Sequence, residues 1–197
     1  MATKPMAWSV VESGPYAERL WDSAHPVQDA EGTYIFKLPL GKTGAMPLVA
    51  LNDLGRYALW ILSNPARSAG LSLGIAIAHI SGAEHATAFE SVTGNTARYE
   101  DIPLSEALAS LPSGKIGAKG SGSPAYDDPT LKNAAEHFGP WWEIFRDSGG
   151  NTGCWTRDYT LLDEILPDRI RTLEEWMRSV GFDGSLKPVL KTALSLD

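Results

Sequence analysis

A strand suited to the inside of a parallel sheet opens this 197-residue chain. Trp8-Ser9-Val10-Val11 is apolar and β-rich, Gly14-Pro15 turns the chain, and Ala17, Leu20 and Trp21 then share one face of a short helix. Strand, turn and helix in that order form the building unit of α/β folds. An interior strand needs a neighbour on each side, and no earlier strand stands before this one in the sequence. Whatever covers its free edge constrains the whole assembly.

The pattern continues in the same style. "TYIFKLPLGKTGAMPLVAL" reads as two extended pieces around a glycine turn, and "LNDLGRYALWILSNP" as a helix opened by Asn52 or Asp53 and stopped before Pro65, with Leu54, Tyr57, Ala58 and Ile61 inward. "GLSLGIAIAHIS" is the strongest strand of the chain. Ser81 and Glu84 then have the spacing of a capping box, which predicts a helix ending at Gly94. "TARYEDIP" is a strand and "LSEALASL" a short helix. The segment around residues 113–125, rich in Gly, Ser and Pro, reads as a mobile loop or a disordered connector. Beyond it the chain is helical and aromatic, with Thr172 and Glu175 capping "LEEWMRSVGF".

Composition excludes several classes. With 43% hydrophobic and 21% charged residues the chain is that of a water-soluble globular protein, expected as one domain over residues 1–197. The longest apolar run, "LSLGIAIAHI", is too short to cross a bilayer, and no basic-then-apolar leader precedes the first strand. No membrane association and a cytoplasmic location are expected. A net charge of -7, with lysines and arginines scattered, argues against a nucleic-acid surface. The single cysteine, Cys154, rules out an internal disulfide framework and a cysteine metal cluster within one chain, and reads as a lone, partly buried thiol.

The motif search is mostly negative. No strand is followed by G-x-G-x-x-G, and neither G-x-x-x-x-G-K-[ST], H-E-x-x-H nor G-x-S-x-G occurs. "GKIGAKGSGS" has glycines but no buried strand before it, so it is not read as a phosphate cradle. His79 ends the strongest strand, where α/β sheets face their ligand crevices, or is a histidine hydrogen-bonded at a strand end. His85 falls in the first turns of a helix and reads as solvated. His25 follows the helix of Glu18 and Asp22, whose i, i+4 spacing puts both carboxylates on one helical face; this is an acid/base neighbourhood or a surface charge cluster. His137 presents an imidazole beside the tryptophans. Trp141, Trp142, Phe145 and Trp155, with Arg146 and Asp147 near the turn, read either as walls of an apolar pocket or as core.

Several strings together resemble one family. "WSVVESGPYAERL", "FKLPLGKTGAMPLVALNDLGRYALWILSNPARSAGLSLGIAIAHI", "AFESVTGNTARYED" and "RDYTLLDEILPDRIRTLEEWMRSVGFDG" are similar to the C-terminal half of fungal NmrA-like proteins, atypical short-chain dehydrogenase/reductases. Asp53 and Gly55 fill the acidic and glycine places of its most specific stretch, "MPLVALNDLGRYA". The N-terminal Rossmann half of that family, with its dinucleotide fingerprint, has no counterpart here. The resemblance implies an α/β fold, an α+β-like remnant of a Rossmann-type fold with a few mostly parallel strands, a helix-rich C-terminal part and no complete dinucleotide-binding sheet.

It also implies that the strand at Trp8–Glu12 has lost its neighbours, so NAD(P) binding in the usual manner is not expected, and a homodimer is expected to cover the bared sheet. The functional expectation is a cofactor-independent isomerase or cyclase, such as a pericyclase, acting on an apolar intermediate of fungal natural-product biosynthesis without metal or coenzyme. Tyr16, Trp21, Trp141, Trp142, Phe145 and Trp155 are the candidate walls, with Glu18, His25 and Arg146 as candidate catalytic groups. A fragment of an NAD(P)H-dependent NmrA-like oxidoreductase, and a non-catalytic regulatory or scaffold protein, are the alternatives.

Overall fold

The structure is a computed structural model that describes residues 7–109, 132–153 and 155–189. Cys154 and the Gly/Ser loop at 113–125 lie outside the described residues. The opening strand, β1 (Val10–Ser13), pairs in parallel with β5 (Ser72–Ile75), with Val10 opposite Ser72 and Ser13 opposite Ile75. A second sheet has the order β2 (Val27–Gln28), β3 (Tyr34–Leu38), β7 (Ala97–Asp101); β3 and β7 run parallel over five residue pairs, while β2 and β3 are antiparallel. A third joins β4 (Ala45–Pro47) and β6 (His79–Ser81) antiparallel. The two longest ladders are therefore the parallel ones, in a mixed α/β assembly.

The run at 71–81 is not one strand. It ends β5 at Ile75, crosses Ala76-Ile77-Ala78 and resumes as β6 with a different partner. A continuous apolar stretch carries no signal for such a switch, because both pieces are buried and periodicity cannot divide them. The crossing backbone is held from the side: Ile77 N–H donates to the Leu48 carbonyl at 2.6 Å, and the buried Arg169 guanidinium donates to the Ala76 and Ile77 carbonyls at 3.2 and 2.8 Å.

The helices are α1 (Leu51–Ser63), α2 (Pro65–Ser68), α3 (Gly82–Thr93), α4 (Leu104–Ala109), α5 (Ala134–Asp147), α6 (Tyr159–Ile165) and α7 (Leu173–Val180). The expected capping boxes of α3 and α7 are formed by Ser81 with Glu84 and Thr172 with Glu175, and α3 ends on left-handed Gly94 at φ 72°. A third box, Asn133 with Glu136, opens α5.

Helix α1 departs from the expectation. It starts at Leu51 behind Ala50, with no local side-chain cap. The Glu18 carboxylate takes that role from 33 residues away, accepting from Leu51 N–H at 3.0 Å. Asp53, read as an opening residue, lies inside the helix and is buried; its Oδ2 accepts from Ile170 N–H at 2.9 Å and its Oδ1 pairs with Arg56 at 3.2 Å.

Two apolar cores result. The larger gathers β3, β4, α3, α5 and α7 around Phe36, Phe89, Phe145, Trp176 and Met177, all at 1% exposure or less. The smaller packs Val49, Tyr57, Leu73, Ile75 and Leu162 between the β1–β5 pair, α1 and α6. Where β1 turns back, Gly14 is required: a Cβ there would stand 1.9 Å from the Pro47 carbonyl oxygen.

Candidate functional site

The residues singled out as catalytic are not one group in space. Glu18 belongs to a 3-10 helix, Ala17–Trp21, and Asp22 lies just past its end. With three residues per turn, i and i+4 diverge by about a third of a circle rather than aligning, so the expected pair of carboxylates on one face is not formed. Asp22 turns to Arg19, at 3.0 Å. Glu18 turns inward, where Oε1 accepts from Leu51 N–H and, at 3.4 Å, from Trp176 Nε1–H. His25 Nε2 meets the Gly184 carbonyl at 2.7 Å, which fixes a ring N–H as the donor there. Arg146 is in the last turn of α5, against Gly44, whose added Cβ would stand 2.8 Å from the Arg146 Cα. No hydrogen bond or ion pair among the described residues joins Arg146 to Glu18 or His25.

The candidate walls divide into three places. Trp141, Trp142, Phe145 and Trp155 do come together: Trp141 meets Trp142 and Phe145 edge-on at 4.9 and 4.7 Å, and Phe145 stacks on Trp155 at 5.4 Å and 9°. Phe145 is fully buried and is core, whereas the three tryptophans are half-buried around it. Trp21 lies elsewhere, packed on Trp176 at 5.5 Å and Phe182 at 6.4 Å, with Lys187 Nζ 5.2 Å above its ring. Tyr16 belongs to the smaller core, bridged to Val49. Of the other histidines, His137 packs edge-on against Phe138 at 5.1 Å. His85 corrects its reading as solvated: it is fully buried beside Phe36, its Nδ1–H donating to the Ser81 carbonyl at 2.7 Å, and burial pushes its pKa from 6.5 down to about 4.

Sequence reasoning singled out His79, and its reading as a histidine hydrogen-bonded at a strand end holds, although it is the first residue of β6 and not the last of a longer strand. What was missed is the polar cluster around it, at the crossing from the C-terminal end of β5, where open α/β sheets place their ligands. His79 is 8% exposed; Nε2 lies 2.9 Å from the Trp155 carbonyl and Nδ1 2.7 Å from the Tyr159 hydroxyl. A carbonyl only accepts, so Nε2 carries the proton and Tyr159 donates to Nδ1. Burial holds the His79 pKa below its ordinary value and raises that of Tyr159 to about 12, so both are neutral.

Arg157 lies across Gly74, which has no side chain to obstruct it, with Nε donating to the Ile75 carbonyl at 3.3 Å and its guanidinium 5.3 Å above Trp155. Burial lowers its pKa, and Glu12 at 3.9 Å offsets part of that. Arg169 donates to Asp163 at 2.8 Å and covers Tyr159 at 5.4 Å. The signal for this cluster was two arginines and a tyrosine set among apolar residues in "WTRDYTLLDEILPDRI", a pattern that says a charge is held but not by what.

Chemically the cluster is a brace. Both His79 nitrogens are engaged, so it has no free lone pair for proton abstraction unless Tyr159 moves. Next to it, Ala78, His79, Ile80, Glu84, Arg171 and Leu173 line a shallow cleft of about 270 Å³. No group of three or more His, Cys, Asp or Glu among the described residues is arranged to hold a metal ion.

Comparison with known proteins now places the fold. The profile of the NmrA-like family matches residues 4–139. The chain belongs to the NmrA-like family. A search of the curated proteins finds no match. Among solved structures, NmrA, a negative transcriptional regulator, in complex with NADP is 16% identical, with a TM-score of 0.59 over 89% of this chain and 52% of its own. The NAD complex of NmrA gives 0.60 over 90% and 53%. A nucleoside-diphosphate-sugar epimerase from Staphylococcus aureus is 17% identical, with 0.58 over 88% and 52%. At such identities the likeness establishes the fold, and this NmrA-like chain spans about half the length of those proteins.

Neither of the turns that follow β1 and β5 forms a pyrophosphate cradle. A pyrophosphate cradle needs a glycine turn with free N–H groups opening a helix. After β1 the turn holds Gly14 packed on Pro47, then Pro15, which has no N–H, then a five-residue 3-10 helix. After β5 the chain runs on into β6, and the α3 N-terminus behind that is already occupied by Ser81 and Glu84.

Proposed function

We propose that this NmrA-like chain binds an apolar small molecule against the half-buried tryptophans of α5 and the following turn, and acts on it as an isomerase or cyclase without a nicotinamide, in the natural-product chemistry of a fungus. The single observation that supports the reading is the aromatic surface itself. Trp141, Trp142 and Trp155 are anchored on a fully buried Phe145, so their exposed faces are rigid and presented to solvent. A rigid apolar wall favours one folded conformer of a flexible substrate, which lowers the entropic part of a ring-closing barrier. Arg146, half-buried in the last turn of α5, supplies a hydrogen-bond donor for a carbonyl whose oxygen gains charge during reaction. Glu18 and His25 are engaged in hydrogen bonds within the fold, with Leu51 N–H and the Gly184 carbonyl, and this proposal assigns them no role.

The test is to expose the purified chain to linear polyene, terpenoid and polyketide intermediates, following tryptophan fluorescence and product formation with and without NADPH. Quenching and nicotinamide-independent isomerisation, both weakened by Trp142→Ala, are expected. Turnover that requires NADPH, or no quenching by any compound, overturns the proposal.

A second reading is favoured by the solved NmrA complexes with NADP and NAD, which the chain matches over 52% and 53% of their length. On that reading the chain is the substrate-side part of a nicotinamide-dependent or regulatory NmrA-like protein. Tight binding of NADPH by this chain alone would favour it over the first.

A further inference from the structure

Helix α5 carries a half-buried stripe beside its core-facing side. Phe138, Trp142 and Arg146 recur at a spacing of four, which sets them one above another along the helix, each partly open to water. At about 1.5 Å per residue the stripe is roughly 12 Å long. Helix α4 borders it, since a Cβ at Gly139 would stand 3.6 Å from Leu108 Cδ1. Two aromatic rings and one guanidinium therefore lie in line, apolar at one end and cationic at the other.

Arg146 differs from every other arginine of the chain. Of the nine, seven hold ion pairs with Asp or Glu, and Arg178 donates to Ser91 Oγ at 3.1 Å. Arg146 alone makes no hydrogen bond or ion pair among the described residues. Its backbone is nonetheless fixed, by the close approach of Gly44. Its charge is felt at the Tyr99 hydroxyl, but that group is already given to the Leu38 and Gly41 carbonyls and to Asp101. The same Asp101 oxygen also accepts from Gly41 N–H at 2.8 Å. A half-buried guanidinium with no anion forgoes the strongest class of hydrogen bond open to it.

We propose that this stripe binds an apolar monocarboxylate, with its hydrocarbon body along Phe138 and Trp142 and its carboxylate on Arg146.

The inference rests on the reading above, that the tryptophans hold an apolar molecule, and specifies the polar end of that molecule. Charge complementarity selects the group. A planar guanidinium meets a carboxylate through two parallel N–H···O bonds. Arg146 also sits in the last turn of α5, where the partial negative charge of the helix end steadies a cation. That same end disfavours a doubly charged phosphate, which helix N-termini attract instead.

Binding of decanoate, methyl decanoate and decylammonium to the full chain, followed by tryptophan fluorescence and calorimetry, tests it. Decanoate should bind at least about tenfold more tightly than the ester, the gain expected of a charge-assisted pair. The ammonium should bind most weakly, although the net charge of -7 by itself favours a cation. Raising the salt concentration should weaken decanoate and leave the ester unchanged, a readout that needs no variant. Arg146→Gln should bring the acid to the level of the ester, Arg146→Lys should keep part of the difference, and Arg178→Gln, on α7, all of it. Trp142→Ala should weaken acid and ester alike. Equal binding of acid and ester, tightest binding of the ammonium, or an acid preference that survives Arg146→Gln overturns the inference while leaving the apolar wall in place. Binding of none of the three overturns both. Selective binding of decanoate without turnover of any intermediate supports the inference and counts against the isomerase reading alone.

Discussion

The larger core, around β3, α3 and α7, is the more deeply enclosed, whereas the smaller one, under β1 and β5, is packed on one face and meets no further strand along β1 among the described residues. In the first, Phe89 touches Tyr34, Phe36 and Phe182 at ring distances of 4.7 to 5.9 Å and has no exposure. In the second, Val11 and Leu73 are packed beneath while Trp8 and Val10 face water. The difference separates sites where a truncation empties a filled space from sites where it removes atoms already in water. Burial is deepest in the first region and shallower at β1.

That contrast is sharpest in the response to truncation. Phe89→Ala should destabilise the chain by about 3–5 kcal/mol, the usual cost of emptying a closed aromatic site, read as a fall in the urea midpoint. A destabilisation below about 1 kcal/mol would mean that the enclosed core relaxes freely, which close packing forbids.

The second test is acid. The unfolded chain protonates His85 near 6.5, but the folded chain does so only near pH 4, because burial disfavours the cation. Between those values the unfolded state binds more protons, so stability should fall as pH drops from about 6.5 to about 4, by about 3 kcal/mol in total, and should be level above that window. His79, whose pKa is also lowered by burial, adds in the same direction. His85→Leu should flatten most of the dependence in denaturation curves taken across this range. An unchanged slope would place the histidine in water and dissolve the distinction between the regions.

A smaller effect is expected at the junction. Glu18→Ala removes the remote cap of α1 and should cost about 1 kcal/mol, seen as faster amide exchange at Leu51 than in the first turn of α3. Smallest of all, Leu62→Ala on the open side should change monomer stability by less than about 0.5 kcal/mol, while Phe89→Ala does not. Equal losses at the two positions would show that α1 is covered in the monomer.

The sequence was most readable where the physics is local. The boxes at Ser81–Glu84 and Thr172–Glu175 need only four residues and were both legible. Asn133 and Glu136 follow the same spacing, but Gly139-Pro140 a few residues on obscures the helix they open. Parallel β1 could be read from its apolar, β-branched run and Gly-Pro turn. What escaped was non-local: Glu18 capping a helix 33 residues away, the division of 71–81 between two sheets, and the burial of His85, which depends on β3 lying across its helix. The site was legible only in part, for the same reason. Four aromatic residues close in sequence, Trp141 to Trp155, do meet. Trp21 and Tyr16, drawn from a distant element, do not join them: Trp21 packs on another part of the same larger core, against Trp176 and Phe182, and Tyr16 on the smaller core.

Arg169 fixes one further property of the molecule. Its planar fork holds carbonyls from the crossing between β5 and β6 and from Ile170, while Asp163 balances the charge. Oily surfaces in contact can slide by fractions of an ångström at little expense, but a guanidinium satisfied on several sides has a single seating. Lysine, with one ammonium on a supple stem, offers no such template. The crossing between the two sheets is therefore seated by directional polar bonds as well as by apolar packing.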